Sequence, residues 1–474
     1  MTIIRQDDLI ESVAAALQYI SYYHPADYIS HLASAYEREQ SPAAKDAMAQ
    51  ILTNSKMSAM GHRPICQDTG IVNVFVKIGM GVRLEGFSAG FEDAINEGVR
   101  RGYNHPDNTL RASIVADPHF ERKNTKDNTP AVIFTQLVPG NTLDITVAAK
   151  GGGSENKSKM VMLNPSDSLV DWVLKTVPTM GAGWCPPGML GIGIGGTAEK
   201  AMLMAKESLM EDLDMYALQA KAAKGEKLTQ TEDLRLELHD KVNALGIGAQ
   251  GLGGLTTVLD VKIKMYPTHA ASKPVAMIPN CAATRHAHFV LDGSGPVYLD
   301  PPSLDLWPNV DWTPDTQKSK RVDLNALTKE EVASWKPGQT ILLNGKMLTG
   351  RDAAHKRIQD IFKQDDSVLK KQRPEILPYQ LSDELHIRSD ILQTTYRRRR
   401  NELLDQGWGI DMHQIVGDGP RDVAVVIPSP ARKNNPELAN AWVHKEVNSR
   451  AILGGSKAET AANAGGKTAY EIEE

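Results

Sequence analysis

Three cysteines, Cys66, Cys185 and Cys281, are spread over a chain of 474 residues, and each lies in a loop-like run of Gly, Pro and polar residues. Their settings are Pro64-Ile65-Cys66-Gln67-Asp68-Thr69-Gly70, Trp184-Cys185-Pro186-Pro187-Gly188 and Asn280-Cys281-Ala282-Ala283-Thr284-Arg285. The odd count argues against a disulfide framework, and the long spacings fail every local zinc pattern. Two readings stay open on residue chemistry. The cysteines are three separate thiols packed as small apolar side chains, or they form one three-thiolate site. A cluster held by three thiolates keeps one iron open as a Lewis acid. Asp68, two residues after Cys66, would be ionised and placed to orient or accept protons beside such a centre.

Other runs carry weaker chemistry. Lys150-Gly151-Gly152-Gly153-Ser154-Glu155-Asn156-Lys157 offers consecutive backbone N–H groups with Ser, Asn and Lys donors, which suits a carboxylate or phosphate; a flexible glycine loop is the plain alternative. His269, in Thr268-His269-Ala270-Ala271-Ser272, sits beside a strand end, where a histidine is more often structural than catalytic. Gly191-Ile192-Gly193-Ile194-Gly195-Gly196 and Gly246-Ile247-Gly248-Ala249-Gln250-Gly251 fit the dinucleotide-binding pattern. Neither opens a clear βαβ unit, and dense glycines often only let backbones approach closely. Arg397-Arg398-Arg399-Arg400 reads as a solvated helix face.

The elements that must position these residues follow from periodicity. Leu9, Val13, Leu17 and Ile20 recur at helical spacing, and His24-Pro25 and Ser41-Pro42 each start a new helix, so residues 7–58 read as a helical bundle. Short β-rich runs follow at Ile71–Ile78, Ala131–Leu137, Leu143–Ala149 and Leu255–Lys264. Helical stretches lie at Ser166–Val177 and Glu199–Met215. Residues 1–290 are expected to form a large mixed α/β domain, and the Gly-, Pro- and Trp-rich stretch 291–321 a linker. Residues 322–453 would form a smaller, incomplete or altered α/β C-terminal domain, with strands at Val322–Leu324 and Gln339–Leu343 and a helix at Thr328–Ser334. The Ala- and Gly-rich stretch 454–474 is expected to be disordered.

Composition narrows the partners. Hydrophobic residues make up 41% of the chain and charged residues 23%, as in an ordinary soluble protein. A net charge of −5 gives no footprint for nucleic acid or an anionic membrane surface. The N-terminus lacks a basic stretch followed by an apolar one, and no apolar run reaches transmembrane length, so a cytoplasmic location is expected.

Taken together, Cys66-Gln67-Asp68-Thr69-Gly70, Lys150 to Lys157, Cys185-Pro186-Pro187, Gly246 to Gln250, His269 to Ser272, Cys281 and Gly350-Arg351-Asp352 resemble the class I fumarate hydratases. These are the oxygen-sensitive iron-sulfur family that also includes the two-subunit L-tartrate dehydratases. The motifs run in family order over about residues 1–362.

The resemblance implies that Cys66, Cys185 and Cys281 ligate a 4Fe-4S cluster whose fourth iron engages malate or fumarate. It implies that Gln67, Arg111, Gly153 and Arg351 bind the dicarboxylate, that Asp68 and His269 handle protons at the hydroxyl end, and that the protein is a homodimer. The implied reaction is interconversion of S-malate with fumarate and water; L-tartrate and mesaconate are alternative substrates. The family's Gly-Pro-Thr-Thr-x-x-Arg-Met-Asp segment, whose first Thr is the implied base at C3, has no match. The nearest string, Thr394-Thr395-Tyr396-Arg397-Arg398, keeps only the Thr-to-Arg spacing. The resemblance fades after about Phe362, which leaves an impaired cluster-binding paralogue, or a C-terminal half supplied by a second polypeptide, as rival expectations.

Overall fold

A computed structural model describes residues 2–310, 319–335 and 340–344, with the strands Asp411–Val416, Val423–Val426 and Val443–Lys445. Arg351, the Thr394–Arg398 string, the Arg397–Arg400 run and the 454–474 tail lie outside the described residues.

The chain divides into two compact units, the first made of residues 1–180 and 184–312, the second of 181–183 and 313–474. In the first, β1 (Thr2–Arg5) precedes α1 (Gln6–Tyr22), α2 (Ala26–Arg38) and α3 (Pro42–Gly61). Next come β2 (Ile71–Gly79), β3 (Val82–Glu85), α4 (Phe91–Tyr103), β4 (Val132–Val138), β5 (Leu143–Lys150) and the short α5 (Gly152–Glu155). The chain continues through β6 (Lys159–Leu163), α6 (Leu169–Thr179), β7 (Gly188–Gly195), α7 (Ala198–Ser208), α8 (Met215–Ala223) and α9 (Gln230–Ala244). It closes with β8 (Val258–Tyr266), β9 (Lys273–Asn280) and β10 (His286–Leu291). The second unit contains β11 (Lys320–Asp323), α10 (Lys329–Ala333), β12 (Thr340–Asn344), β13 (Asp411–Val416), β14 (Val423–Val426) and β15 (Val443–Lys445), its five strands in the order β11-β12-β14-β13-β15. The fold class is mixed α/β. Among the described residues no helix is long and apolar enough to cross a membrane.

Two four-stranded sheets organise the first unit. In β10-β5-β2-β4, alternate residues Val72, Val74 and Val76 of β2 and Leu143, Ile145 and Val147 of β5 face one core with Leu9, Val13 and Leu17 of α1 and Ile95 and Val99 of α4. The period of two in the strands and of three to four in α1 produces this match. Truncating one of these side chains to Ala should cost about 2–5 kcal/mol.

The second sheet, β6-β9-β7-β8, is covered on both faces, and its central strand β7 is apolar throughout, whereas β8 carries Asp260, Lys262 and Lys264. Met189, Ala276 and Ile278 pack with α2, α3 and α7, while Leu190, Ile192, Val275 and Met277 pack with α6 and α9.

This sheet explains the first glycine motif. Gly191 and Gly193 are interior residues of β7, and a Cβ on either would lie 2.1 and 2.0 Å from the carbonyl oxygens of Ala205 and Ala201 in α7. The glycines serve close strand–helix packing, and no phosphate loop is present there.

One expected helix is interrupted. The Glu199–Met215 stretch ends as α7 at Ser208 and resumes as α8 at Met215. Between them, Leu213 N–H donates to Asp27 Oδ2 at 2.6 Å, and the N–H groups of Asp214 and Met215 donate to Asp260 Oδ2 at 3.0 and 3.2 Å. Carboxylates distant in sequence capture donors that a continuous helix would have used. The stretch Ser166–Val177 starts instead at Leu169, because Ser168 caps it by accepting from Asp171 N–H at 3.1 Å.

Candidate active site

The three cysteine loops are tied to one scaffold by hydrogen bonds. Ala282 N–H donates to Cys185 O at 2.9 Å, joining the loop before β7 to the loop after β9. The antiparallel pairing of Met189 with Asn280 brings these two strand ends together. Ile65, beside Cys66, donates to Ser21 O at 2.8 Å and accepts at its carbonyl from Asn54 Nδ2 at 2.9 Å. The next residue of α3, Ser55, reaches the Cys281 loop through His24. Trp307 Nε1–H donates to Ser55 Oγ at 2.8 Å, Ser55 Oγ lies 2.7 Å from His24 Nδ1, and His24 Nε2 lies 2.9 Å from Ala282 O. A carbonyl can only accept, so Nε2 carries the proton and Nδ1 accepts from Ser55. Adjacent residues of α3 thus hold two cysteine loops that are far apart in sequence.

The Cys185 loop is held in an unusual backbone state. Cys185 has φ 56° and Gln250 has φ 53°, both left-handed and neither glycine. The Gln250 N–H and its Nε2 both donate to Pro186 O, at 2.7 and 2.5 Å, and Tyr28 OH donates to Pro187 O at 3.3 Å. Two left-handed residues meeting at one carbonyl cost energy that the surrounding bonds must offset, a pattern that clusters at functional sites.

The glycine run is occupied by the chain itself. Asp68 Oδ2 accepts from Gly152 N–H at 2.8 Å and Oδ1 from Gly70 N–H at 3.0 Å. The expected anion-binding loop therefore cradles the carboxylate that follows Cys66, and Gly153 lies one residue on, in α5. Two buried cations stand beside this junction. Lys150 Nζ donates to Ser154 Oγ at 2.6 Å and Pro279 O at 2.8 Å, and burial pushes its pKa down to about 8 against the opposing pull of Glu155 and Cys281. Arg285 Nη1 donates to Asp68 O at 2.6 Å. Sequence reasoning missed Arg285, His24, Asn54 and Ser55; their polarity inside apolar stretches was the only signal.

Gln67 and Arg111, expected to share the site, are together: Arg111 Nη1 donates to Gln67 Oε1 at 2.9 Å, and the guanidinium is exposed. The Arg111 carbonyl accepts from Thr69 Oγ1, and Thr69 O accepts from Tyr103 OH at 2.9 Å. Burial pushes the Tyr103 hydroxyl up to about 12, so it stays a donor at any physiological pH.

His269 is not brought to the cysteines. It lies in the exposed β8–β9 turn, where its Nδ1 accepts from Ala271 N–H at 3.1 Å. Thr268 Oγ1 pins that turn to Gly196 O at 2.9 Å, just past the end of β7, whereas Cys185 precedes its start. The eight residues of β7 separate the two by roughly 25 Å.

Among the described residues, no three His, Cys, Asp or Glu side chains close on a point as one metal ion requires. A cluster asks for something different, because each thiolate binds its own iron and the sulfurs stay apart. The donor set fits that group: three cysteines outside any disulfide, on loops that backbone bonds hold together, beside buried cations suited to thiolate charge.

The described residues thus bring together joined cysteine loops, a cradled carboxylate and an exposed amide–guanidinium pair. Residues 10–290 match the family model described as Fumarate hydratase (Fumerase), and residues 293–377 match the one described as Fumarase C-terminus. The chain belongs to the class I fumarate hydratase family. It is 37% identical over 275 residues to the putative L(+)-tartrate dehydratase subunit alpha of Methanocaldococcus jannaschii, which covers 56% of this chain and 91% of that one. Against the putative class I fumarate hydratase of Geobacillus stearothermophilus the identity is 28% over 376 residues, 75% of this chain and 70% of the other. The anaerobic class I fumarate hydratase of Escherichia coli is 30% identical over 353 residues, and the match spans 71% of this chain but only 62% of that enzyme. The C-terminal match begins within the stretch expected as a linker and runs past Phe362.

Proposed function

We propose that the protein is a cytoplasmic 4Fe-4S hydro-lyase that interconverts S-malate with fumarate and water. The observation that carries the reading is the joining of the three cysteine loops, through the Ala282–Cys185 backbone bond and the Asn54–Ser55 pair of α3. Cys66, Cys185 and Cys281 would hold the cluster, which supplies a Lewis acid that makes hydroxide a better leaving group. The chain's own residues do the rest. Asp68, fixed through both carboxylate oxygens, takes or returns the proton at the hydroxyl end. Gln67 and Arg111 orient one substrate carboxylate by charge-assisted bonds, with Gly153 as a backbone contact and Arg351 as a second guanidinium.

His269 enters this scheme from a second copy of the chain, because its own turn lies at the opposite end of β7 from Cys185. That geometry supports a homodimer with shared sites. A second reading, L(+)-tartrate dehydration, is favoured by the likeness to a tartrate dehydratase alpha subunit over 91% of that protein. Anaerobic reconstitution followed by a panel of fumarate, S-malate, L-tartrate and mesaconate tests both. Turnover of malate and fumarate supports the first reading, and turnover of tartrate alone replaces it with the second. A loaded cluster with no turnover of any of the four would leave a cluster-binding protein that is not a hydratase.

A further inference from the structure

We infer that Lys150 and Arg285 are charge-compensating positioning residues of the three-thiolate centre, fitted to an anionic group between the cysteine loops and not to any carboxylate of the fold. The inference rests on the cluster reading above and names residues that hold its charge.

Both cations are buried, Lys150 at 2% exposure and Arg285 at 3%. A guanidinium carries five donors and never loses its charge. Arg285 spends one on the Asp68 carbonyl, while its Nε–H is buried with no hydrogen-bond partner and no carboxylate among the described residues lies within 4.0 Å. Lys150 stands 3.8 Å from Glu155, but Glu155 already pairs with Lys206 at 2.6 Å. Lys150 and Lys206 therefore share Glu155, the Asp68 carboxylate is held by the Gly70 and Gly152 N–H groups and acts on Lys150 only at longer range, and Arg285 has no carboxylate within 4.0 Å among the described residues, an arrangement that burial makes unfavourable unless a further anion is present.

Position identifies that anion. Arg285 lies four residues after Cys281 and bonds the residue two after Cys66. Lys150 bonds the carbonyl two residues before Cys281, and the Cys281 sulfur lies near enough to oppose the lowering of its pKa. Thiolates, not thiols, bind iron, and three of them in one place supply the missing negative charge. Among the described residues, every acceptor of Lys150 and Arg285 apart from Glu155 is a neutral oxygen, which calls for no charge.

The test uses full-length protein, reconstituted anaerobically, with Lys150→Met, Arg285→Met and Arg285→Lys. Three measurements are made: melting of the apo and loaded forms, the rate of iron loss to a chelator, and the cluster midpoint potential followed by electron paramagnetic resonance. Each Met variant is expected to lose iron about 10-fold faster, in line with the usual effect of losing an outer-shell partner. Its midpoint potential should move negative, and its melting temperature should fall more in the loaded than in the apo form. Arg285→Lys, which keeps the charge and loses the fork, should keep most of the wild-type potential.

Equal melting losses in both forms, with potential and iron retention unchanged, would make the two residues structural braces and overturn the inference while the cluster reading stands. A rise in KM alone would assign the charge to substrate, and also overturns it. Failure of the wild type to bind iron and sulfide would end the cluster reading and this inference with it.

Discussion

The two ends of the β6-β9-β7-β8 sheet are built on opposite principles. At the end where β7 begins and β9 stops, Cys185 and Cys281 sit in buried loops. Left-handed residues, a doubly bonded Pro186 carbonyl and the Trp307–Ser55–His24 chain lock them in place. At the other end, the β8–β9 turn is exposed, and among the described residues His269 is held by its own turn and the Thr268–Gly196 bond. The rigid end fixes the backbone on either side of two thiols. The open end presents an imidazole to whatever docks there. Within a single sheet, preorganisation and availability are thus separated along one strand.

The largest effect should come from breaking the rigid end at its chemistry. Cys281→Ser should abolish iron and sulfide binding and reduce hydration to background, while circular dichroism stays native. Retained iron at wild-type stoichiometry would show that the loops converge for another reason.

Next, the open end: His269→Asn should lower kcat by about 10²–10⁴-fold, as for a lost acid–base residue, with melting unchanged. Mixing inactive His269→Asn and Cys281→Ser chains after mild subunit exchange should restore activity, since one site of each mixed dimer is intact. No recovery would show that His269 does not act across the dimer; unchanged kcat in the single variant would return it to a structural role.

A smaller loss is expected at the scaffold. His24→Ala leaves the Ala282 carbonyl and the Ser55 hydroxyl without their buried partner and should cost about 1–3 kcal/mol in denaturant unfolding. The same change should speed iron release; equal stability with unaltered release would mean the chain through Ser55 does not hold the loop.

The smallest effect is a control at the capping box of α9. Lys221, then the Thr229 N–H, lower Glu232 from its ordinary 4.5 to about 2. The unfolded chain therefore takes up that proton first as pH falls. Its stabilisation is present above pH 4.5 and is lost as pH drops towards 2. Glu232→Gln should flatten the acid limb of melting temperature against pH in that window and leave iron content alone. An unchanged acid limb would show that the capping box of Thr229 and Glu232 does not depend on charge.

Much of this molecule is legible along the chain because it depends on short-range periodicity. Alternating residues in β2 and β5 and the helical spacing of α1 place their faces correctly, since one buried face per element is enough to set the pattern. The cysteine, Gln67-Asp68 and triple-glycine settings are legible because rigid turns need Pro and Gly in local order. Less legible are the features in which one segment satisfies another. The break between α7 and α8 depends on Asp27 and Asp260, and the strand role of Gly191 and Gly193 depends on the carbonyls of α7.

What the sequence determined by itself is the inventory: three thiols in turn settings, the carboxylate beside the first, and the elements that carry them. Only the tertiary structure decided the assignment of partners. It gave the glycine loop's N–H to Asp68, put Lys150 and Arg285 inside, the first sharing Glu155 with Lys206 and the second with no carboxylate within 4.0 Å among the described residues, and sent His269 to the far end of the sheet. The reason is that hydrogen bonds and buried charges are satisfied by whatever chain segment folding brings near, and no local pattern of residue types records which segment that will be.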